Sequence, residues 1–178
     1  MKVAVYGQNY AKESTQKAFE ILLDVFLDHK LELYIEADFL NLQNEAIKSN
    51  SALRTFTDLD ESYNLLISIG GDGTILRAIT YVRDLGIPIV GINTGRLGFL
   101  ATIQNDQIED AIEAILKGSY KTSERSLLCV ETQPDNTSLL ETNFAVNEIA
   151  VSRKNTTSMI TVETHLNNEY LTSYWADG

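Results

Sequence analysis

Short apolar runs and longer stretches with helical spacing alternate along the first part of the chain. Apolar runs of roughly four to eight residues predict buried strands, and apolar residues three and four positions apart predict one face of a helix. The segments predicted as strands are 2–6, 31–35, 65–69 and 87–92. The segments predicted as helices are 15–29, 39–47, 75–86 and 106–117. The polar segment 48–62 is predicted to be a loop with at most one short strand.

Strands that alternate with helices predict an α/β domain with a Rossmann-like, mostly parallel sheet and helices on both of its faces. Ligands of such sheets bind beyond the carboxyl ends of the strands. The glycine-rich turn after segment 65–69 and the turn that begins at Asn93 both lie at that edge of the predicted sheet. This edge is therefore the predicted position of a ligand site.

The pattern changes after Gly118. Residues 120–133 and 139–153 are strand-like, and apolar residues alternate on either side of Asn167-Asn168, which is a strong signal for a hairpin. These features predict the beginning of an antiparallel all-β domain. The predicted domains are therefore an α/β domain over residues 1–118 and an incomplete β domain over residues 119–178.

The predicted strand 65–69 ends in the sequence Gly70-Gly71-Asp72-Gly73-Thr74, after which a helical pattern begins. Glycines leave the backbone open to a ligand, and the first N–H groups of a helix have no partner within it, which suits a phosphate. Asp72 is an anion where an anionic ligand is expected, so it predicts a carboxylate that performs chemistry or holds a divalent cation. The alternative is that Asp72 only caps the helix, which would leave the glycines unexplained. Arg77, in the first turn of the helix, either neutralises a phosphate or is exposed to solvent.

A second glycine-rich turn, Asn93-Thr94-Gly95-Arg96-Leu97-Gly98-Phe99-Leu100, follows the next predicted strand. Its apolar side chains, Leu97, Phe99 and Leu100, are expected in the core. Arg96 is either a ligand contact or a side chain exposed to solvent.

The β region contains a polar pair, Asn147-Glu148, inside an otherwise apolar run. Burial of a carboxylate without a partner is costly. The pair is therefore either functional or part of an edge strand with one solvent-exposed face. Asp177-Gly178, by itself, is an ordinary turn dipeptide.

The charge of the chain limits its partners. Fourteen basic and 25 acidic residues give a net charge of −11, so we expect no nucleic-acid binding and no membrane binding. A small phosphorylated ligand is compatible with this charge, because backbone donors and a local cation act at short range. A single cysteine, Cys129, a first segment too polar for a signal peptide and the lack of a long apolar stretch indicate a cytoplasmic protein.

Taken together, these motifs resemble those of the NAD kinase family. The resemblance rests on the Gly70–Thr74 turn, on the sequence from Gly91 to Leu100, on Asn147-Glu148, and on Tyr174-Trp175-Ala176-Asp177-Gly178. It covers almost the whole chain, in the order of the family. The first motif also occurs in phosphofructokinases and diacylglycerol-type lipid kinases, so the second motif, directly after the next strand, and the Asn147-Glu148 pair make the resemblance specific.

The resemblance implies ATP-dependent phosphorylation of the 2′-hydroxyl of the adenosine ribose of NAD, which gives NADP. It implies NAD as substrate, ATP as phosphoryl donor, and Mg²⁺ or another divalent cation as cofactor, with no metal ligand assigned. Asp72 would be the catalytic general base, and residues 119–178 would begin a β-sandwich-like NAD-binding domain. The residues predicted to bind substrate or cofactor are Gly71, Asp72, Gly73, Thr74, Arg77, Asn147, Glu148 and Asp177.

Members of the family continue beyond the position of Gly178 through further strands, so a β domain that stopped there would leave unpaired strand edges. We therefore expect the 178-residue chain to be poorly active alone. By analogy with the family we also expect a homodimer or homotetramer.

Other functions are compatible with parts of the pattern. A non-catalytic nucleotide-binding module is one alternative, and a lipid or sugar kinase that shares the Gly-Gly-Asp-Gly-Thr motif is another. A dehydrogenase fits less well, because the turn Gly7-Gln8-Asn9-Tyr10 lacks the glycine fingerprint of dinucleotide-binding sheets.

Overall fold

A computed structural model describes residues 1–8, 12–29, 31–96, 98–137, 142–154 and 158–178 of the chain. Over these residues the chain divides into two compact units, Met1–Ser123 and Glu124–Gly178. None of the helices found there has the length and apolar character needed to cross a membrane.

The first unit is built on one parallel sheet. Its strands are β1 (Lys2–Gly7), β2 (Glu32–Glu36), β3 (Leu53–Phe56), β4 (Leu65–Gly70) and β5 (Ile89–Asn93). Their order in the sheet is β3-β2-β1-β4-β5, and every neighbouring pair is parallel. The direction of winding reverses between β1 and β4, and open α/β sheets bind ligands at the carboxyl ends of strands where this reversal occurs. The glycine-rich turn after β4 lies at this position.

Helices cover both faces of the sheet. They are α1 (Glu13–Asp28), α2 (Ala37–Asn41), α3 (Glu45–Lys48), α4 (Asp72–Val82) and α5 (Ile108–Leu116). Alternate residues of β1 point to opposite faces: Val3 and Val5 belong to the core that contains α1 and α5, whereas Ala4 and Tyr6 belong to the core that contains α4. Full burial of each large apolar side chain contributes roughly 1.5–3 kcal/mol. The predicted α/β fold is confirmed.

The helix predicted over residues 39–47 is instead two short helices, because two polar side chains start helices separately. The Glu36 carboxylate accepts a hydrogen bond of 2.8 Å from the N–H of Phe39 at the start of α2. The Asn44 side chain accepts one of 3.0 Å from the N–H of Ile47 and begins α3. Each acceptor satisfies a donor that a helix start leaves free.

The second unit is antiparallel, as predicted. Its strands are β6 (Leu128–Cys129), β7 (Phe144–Ala145), β8 (Ile160–Leu166) and β9 (Glu169–Ala176). β6 pairs with β7, and β8 pairs with β9 in a hairpin that turns at Asn167 and Asn168, whose φ angles are 52° and 68°. Asparagine tolerates this left-handed conformation and favours such two-residue turns. The strand-like stretches predicted at 120–133 and 139–153 contain only two-residue strands among the described residues, and residues 139–141 of the second stretch lie outside them.

Candidate active site

The turn between β4 and α4 is open on its outer side. A Cβ atom at Gly71 or Gly73 would meet no other atom within 4 Å, so a ligand can approach the backbone there. Gly70 has a different role: its φ is +155°, and a Cβ there would overlap the side chain of Thr74, which is fully buried. The fold therefore requires glycine at position 70, whereas Gly71 and Gly73 leave space for a ligand on the outer side of the turn.

Asp72 is the first residue of α4, and Gly71 occupies the capping position before it. The Asp72 carboxylate accepts three hydrogen bonds from main-chain N–H groups of the loop after β5. Phe99 donates to Oδ2 at 2.8 Å, and Leu100 and Ala101 each donate to Oδ1 at 2.9 Å. The alternative in which Asp72 only caps its own helix is therefore wrong, because these three bonds go to another segment of the chain.

These bonds favour the charged form of the carboxylate. The hydrogen bonds from the N–H groups of Ala101, Phe99 and Leu100 hold the pKa of Asp72 below its ordinary value, and partial desolvation opposes them only in part. Asp72 is half-buried, so part of the carboxyl group still faces solvent. At neutral pH the turn therefore presents an oriented anion.

Asn93, at the end of β5, shapes the loop that holds Asp72. Its side-chain Nδ2 donates to the carbonyls of Arg96 at 2.9 Å and Ala101 at 3.0 Å, and its Oδ1 accepts from the N–H of Gly95 at 2.8 Å. Asn93 is buried, and its side chain bonds at both ends of the loop. Satisfying these backbone groups fixes the loop conformation.

The expectation that the apolar side chains of this loop lie in the core is wrong for Phe99, which is 78% exposed. Leu100 is half-buried, and Leu97 lies outside the described residues. The loop backbone is fixed by Asp72 and Asn93 rather than by apolar burial, so an apolar residue type did not determine where the Phe99 side chain lies. Arg96 is exposed.

Arg77 lies on α4 and is exposed. Burial raises the pKa of Tyr6, near the end of β1, and interaction with the guanidinium group of Arg77 offsets part of that rise. One turn further along α4, burial raises the pKa of Tyr81 to about 12, and the buried carboxylate of Glu36 acts in the same direction. Side chains of α4 thus lie close to side chains at the carboxyl ends of β1 and β2.

An open cleft of about 520 Å³ lies beside the turn after β5. The residues that line it are Asn93, Thr94, Gly95, Gln104, Asn105 and Asp106. The N–H of Thr94 donates to the carbonyl of Gly70 at 3.2 Å, which joins one wall of this cleft to the glycine turn. The cleft is therefore continuous with the edge of the sheet at which the site was predicted.

The other predicted site residues lie in the second unit. Asn147 and Glu148 are exposed and follow β7, so the expectation that they lie within a strand is wrong. Asp177 follows β9, and its carboxylate lies 3.5 Å from the guanidinium group of Arg153. The N–H of Arg153 also donates to the carbonyl of Asp177 at 3.0 Å. Two contacts thus hold Asp177.

Among the described residues, no cluster of three or more His, Cys, Asp or Glu side chains is placed to hold a metal ion. Mg²⁺ in phosphoryl-transfer sites is commonly bound through one or two carboxylates together with substrate phosphates and water. A cation bound in that mode would take most of its ligands from phosphate and water.

Comparison with known proteins identifies the family of the chain. Residues 4–120 match the family model described as the ATP-NAD kinase N-terminal domain. The protein named NAD kinase of Flavobacterium johnsoniae is 50% identical over 181 residues, which cover 100% of this chain and 61% of the relative. The one of Christiangramia forsetii is 51% identical over 181 residues with the same coverage.

The chain belongs to the NAD kinase family. It spans about 61% of the length of these two relatives. A solved structure, yeast NADH kinase complexed with NADH, matches the fold with a TM-score of 0.76 at 18% sequence identity. The match covers 99% of this chain and 56% of that chain.

Within this family fold, the two units divide the predicted site residues. The glycine turn and Arg77 belong to the first unit, and Asn147, Glu148 and Asp177 belong to the second. Sequence reasoning missed the part played by the loop after β5. Every residue type except proline has a main-chain N–H group, so the residue types of the loop do not indicate which N–H groups bind Asp72. The sequence signal for the loop is limited to Asn93 and the glycines that follow it.

Proposed function

We propose that this protein takes part in ATP-dependent phosphorylation of the 2′-hydroxyl of the adenosine ribose of NAD, which gives NADP. The observation that carries the proposal is the oriented, ionised carboxylate of Asp72 in an open, side-chain-free turn where the sheet changes its direction of winding. Family membership supports the choice of NAD and ATP as substrates.

The chemistry required of the chain is modest. A ribose hydroxyl is a poor nucleophile at neutral pH, so a carboxylate that accepts its proton assists attack on the γ-phosphorus of ATP. Most of the remaining acceleration in phosphoryl transfer comes from alignment and from neutralisation of charge. Asp72 accepts the proton, while the backbone at Gly71 and Gly73 and the guanidinium group of Arg77 contact phosphate oxygens; Thr74, which is fully buried and donates its N–H to the carbonyl of Gly71, supports the turn from inside.

A divalent cation would supply further neutralisation of phosphate charge when bound with the nucleotide. Phosphate oxygens and water would supply most ligands of such a cation, which leaves the carboxylate of Asp72 available to the ribose hydroxyl. Asn147, Glu148 and Asp177 are proposed to hold the adenine nucleoside part of NAD through carboxylate and amide hydrogen bonds, which makes the second unit the beginning of an NAD-binding domain.

The direct test is detection of NADP by mass spectrometry after the protein is mixed with NAD, ATP and Mg²⁺. Asp72→Asn keeps the shape of the side chain and removes its basicity, so NADP formation is expected to fall by about 10² to 10⁴-fold. The matched control is Asp84→Asn, an exposed aspartate just after α4, which is expected to retain activity. Equal rates in Asp72→Asn and the unaltered chain would contradict the proposal.

Two alternatives give different results in the same assay. A kinase of another acceptor would phosphorylate a sphingoid base, diacylglycerol or a sugar phosphate in place of NAD. A non-catalytic module would bind NAD without forming NADP, and Asp72→Asn would then change neither binding nor any rate.

We also propose a homodimer or homotetramer and a cytoplasmic location, as the resemblance implies. The second unit exposes several large apolar side chains, which supports association. The most exposed are Leu166, Tyr170, Leu171 and Trp175. Light scattering coupled to gel filtration measures the assembly, and a single-chain mass at micromolar concentration would contradict it.

A further inference from the structure

The carboxylate of Asp72 has a limited number of positions left for a substrate. A carboxylate offers about four lone-pair sites on its two oxygens. Among the residues that the structure describes, Leu100 and Ala101 donate their main-chain N–H groups to Oδ1, and Phe99 donates its N–H to Oδ2. Of the two oxygens, Oδ2 is therefore the one with room for a further donor.

Contacts other than those with Asp72 also hold the loop that supplies these donors. Asn93 binds the carbonyls of Arg96 and Ala101, and the N–H of Ile103 donates to the carbonyl of Gly91 at 3.2 Å, at the end of the loop. The N–H of Asn93 donates to the carbonyl of Ile103 at 2.7 Å. The three donors are thus arranged by the fold, which is how preorganised sites avoid reorganisation during a reaction.

Close approach of the loop to Asp72 depends on Gly98. A Cβ atom at this position would overlap the whole carboxylate group, and Oδ1 most closely. At Gly95, in the same loop, a Cβ would meet nothing closer than 4.0 Å. Contact with Asp72 therefore requires a residue without a side chain at position 98 but not at position 95.

We propose that the main-chain N–H groups of Phe99, Leu100 and Ala101 position Asp72 for phosphoryl transfer and leave Oδ2 as the oxygen that accepts the proton of the ribose hydroxyl. Gly98 is the positioning residue that permits this contact. The inference rests on the proposed function and adds to it the loop that orients the base.

The 2′-oxygen of the ribose forms a bond to the γ-phosphorus as the bond from that phosphorus to the bridging oxygen of ADP breaks. The hydroxyl proton passes to Oδ2 of Asp72 and then to solvent. A carboxylate with three donors is a weak base, so the loop favours orientation of the hydroxyl over early removal of its proton. This suits the loose transition state of phosphoryl transfer, in which little charge develops on the nucleophile.

The first experiment needs no turnover. Amide hydrogen exchange and a ¹³C titration of the Asp72 carboxyl group are measured by NMR in the 178-residue chain, in Gly98→Ala and in Gly95→Ala. In Gly98→Ala the amides of Phe99, Leu100 and Ala101 are expected to exchange about tenfold or more faster, while Gly95→Ala retains their protection. Asp72→Asn is the second variant, which keeps the glycine and weakens the acceptor, and it is expected to speed exchange of the same amides. Retained protection of the β4 amides shows that each variant is folded.

The second experiment measures the pH profile of NADP formation for the same chains. In Gly98→Ala the acid limb of the pH profile is expected to move up by about one pH unit, because the Asp72 carboxylate loses its hydrogen-bond donors. The kcat is expected to fall by about 10²-fold, because Asp72 is no longer oriented. A structural defect alone would lower activity at every pH without moving the limb. If Gly98→Ala shows the same acid limb of the pH profile and the same kcat as the unaltered chain, the inference about the loop is overturned while the proposed function stands. Absence of NADP in the unaltered chain overturns the proposed function, and this inference with it.

Discussion

The carboxylate of Asp72 accepts a hydrogen bond of 2.9 Å from the main-chain N–H of Ala101, which lies 29 positions later in the chain. The bond joins the start of the helix after β4 to the loop after β5, so the two glycine-rich turns form one structure. This relationship makes Asp72 both a candidate catalytic group and a structural one, and the two roles can be separated by measurement.

Asp72→Ala is expected to destabilise the first unit. The substitution leaves the loop donors without their charged acceptor, and hydrogen bonds to charged groups contribute roughly 1.5–3 kcal/mol each when buried. Because Asp72 is only half-buried and water can replace part of the loss, we expect a decrease of roughly 1–3 kcal/mol in the free energy of unfolding. Urea denaturation measures it. Asp84→Ala, which changes an exposed carboxylate, is expected to stay within about 0.5 kcal/mol, and an equal loss in both variants would contradict the assignment.

The same carboxylate is expected to contribute to acid stability. Its pKa is lower in the folded chain than the value of about 3.9 for a free aspartate, so the stabilisation is present above that pH and is lost as pH falls through the folded value. Asp60, bonded to Ser62, and Glu113, bonded to Lys117, also have lowered pKa values and act with the same sign.

The contribution of Asp72 to acid stability is therefore measured as the difference between the unaltered chain and Asp72→Asn. Urea denaturation between pH 5 and about pH 2.5 is expected to show a steeper loss of stability in the unaltered chain than in Asp72→Asn, because Asp60 and Glu113 are present in both. Parallel pH dependences in the two chains would show that Asp72 has an ordinary pKa.

Sequence patterns predicted the sheet and the glycine turn because both depend on local chemistry. The alternation of Val3 and Val5 with Ala4 and Tyr6 follows the two faces of a strand, and Gly70 marks a backbone conformation that other residues adopt poorly. The partners of Asp72 could not be predicted, since main-chain N–H groups carry no side-chain signature. Phe99 was misplaced for a related reason: its exposure follows from backbone bonds of the loop rather than from its apolar character.

Asn93 is expected to be sensitive to an almost isosteric change. Asn93→Asp replaces an amide group that donates to two carbonyls with an oxygen that repels them, in a buried position. We expect a loss of roughly 1–3 kcal/mol or more in the free energy of unfolding. Asn44→Asp is the matched control, because Asn44 uses only its acceptor oxygen at the start of α3, where a negative charge is favourable. Equal effects of the two substitutions would mean that the loop does not depend on the donors of Asn93.

Gly73→Ala is expected to separate stability from activity. Gly73 lies in the first turn of α4, and a Cβ there meets nothing within 4 Å, so alanine is expected to raise the free energy of unfolding by roughly 0.5–1 kcal/mol through helix propensity. The added methyl group occupies the space through which a ligand would approach the backbone, so NAD binding and NADP formation are expected to fall. Calorimetric titration with NAD and thermal denaturation of the same samples measure both effects.

Gly70→Ala is the contrasting variant. Because φ is +155° at this position and a Cβ would overlap Thr74, we expect the free energy of unfolding to fall by more than about 1 kcal/mol. If Gly73→Ala left NAD binding unchanged, the open side of the turn would not be the place where the ligand contacts the protein.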